Sequence, residues 1–216
     1  MNKNISRDFA QIYDTYSRQN QWTSPDTLFN LCKEFLSTHQ NLLDIGIGTG
    51  LSAIPFKKAG LKIYGLDNSE HMLEICGSKN IADELRLHDL NILPIPYSDQ
   101  KFDTIIANGV FHLTGYIESL FNDINRLLKP NGIFAFTVDI YKPNDSLDYS
   151  STGVKGIWQK NSKEHNFVTF KHSVHYIEEL LAAFNFYYVK ELDFCAFKSL
   201  AENREVFFRI YISRKN

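Results

Sequence analysis

The stretch Leu42-Leu43-Asp44-Ile45-Gly46-Ile47-Gly48-Thr49-Gly50 decides the fold. An apolar run of strand length passes directly into three glycines at alternate positions, and Leu51 to Lys58 then has helical spacing. Alternate glycines let the backbone turn sharply and let a ligand lie directly on it, facing the N–H groups of the following helix. The next apolar run, Leu61 to Leu66, ends at Asp67, 21 residues beyond Gly46 (67 − 46). That offset suits a carboxylate accepting both hydroxyls of a ribose, so the pair of features indicates a nucleoside-containing ligand.

Outward from this unit the alternation continues. Ser69 to Cys76 has helical spacing, Leu85 to Leu87 is a weak strand, and Phe102 to Ala107 a strong one. Tyr116 to Leu128 then predicts a helix and Gly132 to Val138 a strand. Short apolar runs alternating with helices of about ten residues predict a doubly wound α/β sheet, covered on both faces and mainly parallel. Upstream, residues 2 to 39 form two amphipathic helical stretches, with Ser24 as the expected cap of the second and Pro25 at its first position. Pro55 fits the first turn of its helix if Ser52 is the cap. Asp139 to Asn166 has no regular period and is expected to be a long loop, after which Phe167 to Val174, a helix from about His175 to Phe184, Phe186 to Phe194 and Glu205 to Ser213 restore regularity. Asn185 is expected in the left-handed position that ends a helix.

Composition narrows the function. Of 216 residues, 44% are hydrophobic and 22% charged, which suits one globular domain with a large core. The formal charge of −2 supplies no cationic field for a phosphate backbone, so nucleic acid is not the expected partner. No apolar run approaches a membrane span, and Cys32, Cys76 and Cys195 form no CxxC pattern; both point to a cytoplasmic protein with reduced thiols. His165, His172 and His175 lack accompanying cysteines or carboxylates at ligand spacing, so no metal is expected.

Asp44 stands two residues before the first glycine, where a pyrophosphate-binding turn has reason to avoid an anion and an ammonium-bearing ligand has use for one. Here the sequence resembles the class I S-adenosylmethionine-dependent methyltransferases, whose first motif is an apolar strand ending in D-x-G-x-G-x-G. The resemblance continues in order: Leu66-Asp67-Asn68-Ser69, Asp89-Leu90, Phe102-Asp103-Thr104-Ile105-Ile106, and Leu127-Leu128-Lys129-Pro130-Asn131-Gly132, where Asn131 replaces a glycine and tolerates the same left-handed backbone. It covers roughly Leu42 to Val138, and more loosely the last strand.

The resemblance implies a seven-stranded sheet with its last strand antiparallel and an N-terminal helical lid over residues 1–40. A cofactor-binding core would then span 41–138, and substrate-side elements 139–216. It implies S-adenosylmethionine as cofactor, held by Asp44, Gly46, Gly48, Gly50, Asp67, Asn68, Met72, Asp89 and Leu90. Asn108 and Gly109 would add backbone contacts to the methionine portion. His112 and Tyr13 are the candidates if the acceptor needs a base. Phe9, Tyr13, Tyr16 and Trp22 would either close over the cofactor or pack on the sheet, and Tyr141 to His165, with Tyr149 and Trp158, would form a second wall. The absence of [DN]-P-P-[YF] and of a Pro-Cys dipeptide disfavours base methylation. The resemblance to the family's small-molecule branch implies a small-molecule acceptor, and protein or RNA acceptors stay open. Two alternatives stay open on sequence alone: a nicotinamide-dependent oxidoreductase, favoured by the glycines and Asp67, and a non-catalytic cofactor-binding protein.

Overall fold

A computed structural model describes residues 6–142, 148–161, 168–200 and 203–216. Strands β1 (Asn41–Ile45), β2 (Lys62–Asp67), β3 (Glu84–Leu87), β4 (Phe102–Ala107) and β5 (Leu128–Val138) run parallel. β6 (Ser150–Ser151), β7 (Ile157–Asn161) and β8 (Val168–His172) follow, then β9 (Phe186–Ser199) and β10 (Arg204–Lys215). The main sheet has the order β3-β2-β1-β4-β5-β10-β9, with β10 antiparallel to both neighbours. The helices are α1 (Arg7–Gln19), α2 (Ser24–Cys32), α3 (Ile54–Lys58), α4 (Glu70–Ser78), α5 (Glu118–Leu127) and α6 (Val174–Ala183).

Alternating side chains of each strand explain the two-sided winding. Leu43, Ile105, Phe134, Phe136 and Tyr211 enter one core with Phe121 of α5 and Ile177 of α6. Their strand neighbours Leu42, Ile106, Ala135, Ile210 and Ile212 enter the other with Leu28 of α2 and Phe56 of α3. Rings of Phe134 and Phe136 stack with centroids 4.5 Å apart, and Tyr211 stacks on Phe136 at 5.3 Å.

Local signals act as the sequence indicates at several points. Ser69 accepts the Met72 N–H at 3.3 Å to cap α4, Pro55 lies in the first turn of α3, and Asn131 (φ 62) and Asn185 (φ 57) are left-handed. Two caps are corrected. Thr23 and Ala53, not Ser24 and Ser52, occupy the cap positions of α2 and α3, because both serine hydroxyls are bonded to Asn108. The expected irregular loop after Val138 is corrected as well. Its described part contains β6 and β7, which join β8 in a second, antiparallel three-stranded sheet. His165 lies outside the described residues.

Candidate active site

Because β1 to β5 are parallel, the segments that follow β1, β2, β3 and β4 all emerge at one edge of the sheet. Chain winding reverses between β1 and β4, and such a switch point leaves a crevice outside the strand ends. The glycine turn, Asp67, Asp89 and Asn108 therefore meet there.

The three glycines have positive φ (71°, 54° and 88°), yet their surroundings differ. A Cβ at Gly46 would stand 2.7 Å from Val110, and one at Gly50 would stand 2.9 Å from both Cys76 and Ile81. At Gly48 a Cβ would meet nothing within 4 Å. The outer two glycines serve packing, and the middle one presents bare backbone to open space.

Asp44, on β1, is 1% exposed, and among the described residues its Oδ2 has no hydrogen-bond partner. Burial, then repulsion from Asp67, raises its pKa well above the ordinary carboxylate value. Asp67 is held differently. It accepts the Gly48 N–H at 2.9 Å and the Ser69 N–H at 2.9 Å, and the Asn68 N–H also points to it; burial nonetheless pushes its pKa up. Each carboxylate oxygen accepts two hydrogen bonds, so capacity for hydroxyl donors is left. Met72 and Leu90 are buried, and Asp89 is partly buried and binds the N–H and side-chain amide of Asn91.

Asn108 is a structural hub. Its Oδ1 accepts Ser24 Oγ at 2.6 Å and Thr137 Oγ1 at 3.2 Å, and its Nδ2 donates to Ser52 at 3.0 Å. The Gly109 N–H donates to Thr137 Oγ1 at 2.8 Å. With that donor committed, carbonyl oxygens are what this segment has to offer a ligand's ammonium group.

Helix α1 lies over the glycine turn. Thr49 donates to Asp14 at 2.6 Å, Lys79 forms an ion pair with the same carboxylate, and Lys79 also donates to the Thr49 carbonyl at 2.8 Å. Tyr13 meets Trp22 edge to face at 6.4 Å, and a Cβ on Gly109 would stand 3.5 Å from the Trp22 ring. Phe9 packs on Tyr13, while Tyr16 is 40% exposed. The aromatic face thus lies against the segments that follow β1 and β4.

The two candidate bases are poorly suited to take a proton. Burial with nearby Asp67 and Asp14 pushes the Tyr13 phenol up to about 12. Burial and nearby His172 bring His112 down to about 4. His112 lies on the short turn Phe111–Leu113, and its ring is 5.5 Å from that of Phe208. Within the described part of the stretch expected as a second wall, Tyr141 stacks on Trp158 at 3.7 Å, and Tyr149 is 3.2 Å from the Thr169 hydroxyl; residues 143–147 and 162–165 lie outside the described residues. His175 pairs with Glu179 on the surface of α6, and no group of three or more metal-ligating side chains gathers among the described residues.

Sequence reasoning missed Asp14, Lys79 and Thr137. Thr137 had a signal, as the one hydroxyl inside the apolar run Ile133 to Val138. Asp14 and Lys79 had none, since lone charges on helices are ordinarily solvated.

Residues 43–136 match the family model described as a methyltransferase domain. The ribosomal protein L11 methyltransferase of Helicobacter hepaticus is 29% identical over 59% of this chain and 44% of its own. The demethylmenaquinone methyltransferase of Symbiobacterium thermophilum is 31% identical over 58% of this chain and 55% of its own. The chain spans about half the length of the curated relatives it matches. In fold it is similar to the Burkholderia thailandensis 1,6-didemethyltoxoflavin-N1-methyltransferase, solved with 1,6-didemethyltoxoflavin and S-adenosylhomocysteine. The TM-score is 0.68 at 15% identity, over 97% of this chain and 86% of that one. Motif order and strand order agree with the domain match: residues 43–136 carry a methyltransferase domain, set in a sheet of the class I methyltransferase fold.

Proposed function

We propose that this chain transfers a methyl group from S-adenosylmethionine to a small-molecule acceptor. The observation that carries the reading is the buried, unpartnered Asp44 Oδ2 beside bare Gly48 backbone. A buried carboxylate oxygen left without a partner is costly, and an ammonium group offsets that cost where a diphosphate would add repulsion. Asp44 and the carbonyls of Asn108 and Gly109 would hold the aminoacyl end, with Gly46, Gly48 and Gly50 as its bed. Asp67 and Asn68 would hold the ribose, and Met72, Asp89 and Leu90 the adenine.

The chemistry supplied by the bound cofactor is an electrophilic methyl group on a sulfonium. The protein's work is then to align the acceptor and exclude water. Neutral His112 borders the acceptor side, and Tyr13, un-ionised, serves the cover and not proton abstraction. A cap over 1–40, a core over 41–138 and acceptor-side elements over 139–216 follow from this division of labour.

A small acceptor is supported by the aromatic enclosure of the site and by the small-molecule names among the relatives. A protein acceptor is the second reading, favoured by the ribosomal protein L11 methyltransferases among them. Three free thiols, two of them buried, support a cytoplasmic location, and no described helix is long and apolar enough to cross a membrane. Calorimetry should detect S-adenosylhomocysteine binding and no NAD binding. Labelled methyl groups should then appear in fractionated small metabolites; label confined to protein would overturn the small-molecule assignment.

A further inference from the structure

We infer that Ser24, at the start of α2, is a positioning residue for the cofactor: its hydroxyl sets the Asn108 side chain and, through it, the Asn108–Gly109 backbone. This rests on the methyl-transfer reading above, in which the carbonyls of Asn108 and Gly109 hold the aminoacyl end.

Two helices give up the same local bond for one amide. A serine at a helix start ordinarily accepts an N–H of the first turn, as Ser6 does for α1, Ser69 for α4 and Ser173 for α6. Ser24 and Ser52 do otherwise. Neither α2 nor α3 has a side-chain cap, and both hydroxyls turn to Asn108, 84 and 56 residues away.

Hydrogen-bond capacity then fixes the protons of the cluster. Thr137 Oγ1 accepts the Gly109 N–H at 2.8 Å and turns its own proton to Asn108 Oδ1 at 3.2 Å. Ser24 donates to that same oxygen at 2.6 Å, which fills both of its lone pairs, while Nδ2 donates to Ser52 at 3.0 Å. All four side chains belong to buried residues, and Ser24 is 0% exposed, so these bonds form out of contact with bulk water.

Gly109, with φ at 71°, is thereby held in a left-handed turn by a chain of bonds that begins on α2. The start of α2 is itself held from the other side. Thr23 donates its N–H to the Ala196 carbonyl at 2.9 Å and its hydroxyl to the Cys195 carbonyl at 2.8 Å. Ser24 thus links the β9–β10 hairpin to the segment that follows β4. A neutral buried hydrogen bond adds little net stability, because the unfolded chain makes its equivalent with water. What a fully satisfied cluster supplies is a single geometry.

The test begins with calorimetric binding of S-adenosylhomocysteine to the unaltered chain. No binding there counts against the cofactor reading and is distinct from every outcome below. Ser24→Ala should weaken binding about tenfold, the scale of one buried hydrogen bond. Leu28→Val loosens the core contacts of the same helix without removing a bond to Asn108, and should leave affinity within about twofold. In proton–nitrogen NMR spectra of the cofactor-free protein, the Gly109 amide should move in Ser24→Ala and stay in place in Leu28→Val. In an Asn108→Ala background the Ser24 change should have no further effect on affinity, since the two residues act as one unit. If Ser24→Ala does not fold, Ser24→Cys, of similar shape and a weak donor, takes its place; if Asn108→Ala does not fold, the Gly109 amide decides. Unaltered affinity in the Ser24 variant, equal weakening by Leu28→Val, a stationary Gly109 amide, or an effect that persists without Asn108 would show that the cluster only holds the fold together, and the inference falls.

Discussion

Asp14 on α1 and Thr49 in the glycine turn share a hydrogen bond of 2.6 Å, and Lys79 of α4 binds both residues. The N-terminal helix is thereby fastened to the backbone that would bed the cofactor. Asp14 and Lys79 side chains are 29% and 24% exposed, so solvent screening limits the pair to the modest worth of a partly exposed ion pair. Asp14→Asn should leave the fold intact and raise the S-adenosylhomocysteine dissociation rate about fivefold. Stopped-flow fluorescence of Trp22 would read the change; an unaltered rate would separate the clasp from cofactor exchange.

Asp44 makes opposite contributions to stability and binding. An acid whose pKa is raised on folding holds more protons in the folded than in the unfolded state. Stability is then lost as pH rises above the ordinary carboxylate value towards the raised one. Asp44→Asn should flatten that decline in the cofactor-free protein and leave the melting temperature at neutral pH equal or higher. The same change should weaken S-adenosylhomocysteine binding by more than about tenfold, because it removes a buried ammonium partner. Thermal melts across pH, with and without S-adenosylhomocysteine, would check both.

The histidines work in the other direction. Burial lowers His112 and His172 from 6.5 to about 4. The unfolded chain therefore binds more protons in that interval, and stability falls as pH drops from 6.5 towards 4. His112→Gln should shrink the acid-side loss in urea titrations over this interval. An acid limb of unchanged slope would show that His112 is solvated.

Gly46 and Gly48 look interchangeable in the motif and should respond differently to alanine. Both have positive φ, which costs about 1 kcal/mol for a side chain. At Gly46 the added methyl also collides with Val110 at 2.7 Å, so Gly46→Ala should be poorly folded. Gly48→Ala should fold and show no measurable calorimetric heat with S-adenosylhomocysteine, since its methyl projects where only the ligand has room.

Thr137→Val keeps side-chain volume and removes the hydroxyl that accepts from Gly109 and donates to Asn108. With the Gly109 N–H left unpaired, the loss should be about 1–3 kcal/mol in denaturant unfolding. Wild-type stability in this variant would show that water replaces the hydroxyl.

The doubly wound sheet was legible because two-sided burial writes itself into strands as unbroken apolar runs, as in Ile105-Ile106-Ala107. The meeting of Asp44, Gly48 and Asp67 at one end of the sheet was legible because their spacing is local. The caps were misassigned because a serine before a helix has the same local appearance whether its hydroxyl turns to the helix N–H or, like Ser24, to Asn108, 84 residues away. The small sheet escaped notice because β6 has two residues and β7 alternates only weakly. Its pairing partner decides its conformation, and partners are not written in a window of ten residues.

The α1–α2 junction is stitched to β9, with the Thr23 N–H on the Ala196 carbonyl and the Lys198 N–H on the Asn20 carbonyl. Those contacts span about 175 positions of the chain. During synthesis the α1–α2 junction consequently lacks its β9 partners until the carboxy-terminal hairpin has emerged from the ribosome, although α1 and α2 meet α4 and α3 earlier. Closure of loops this long makes the final pinning of that junction a late event in folding.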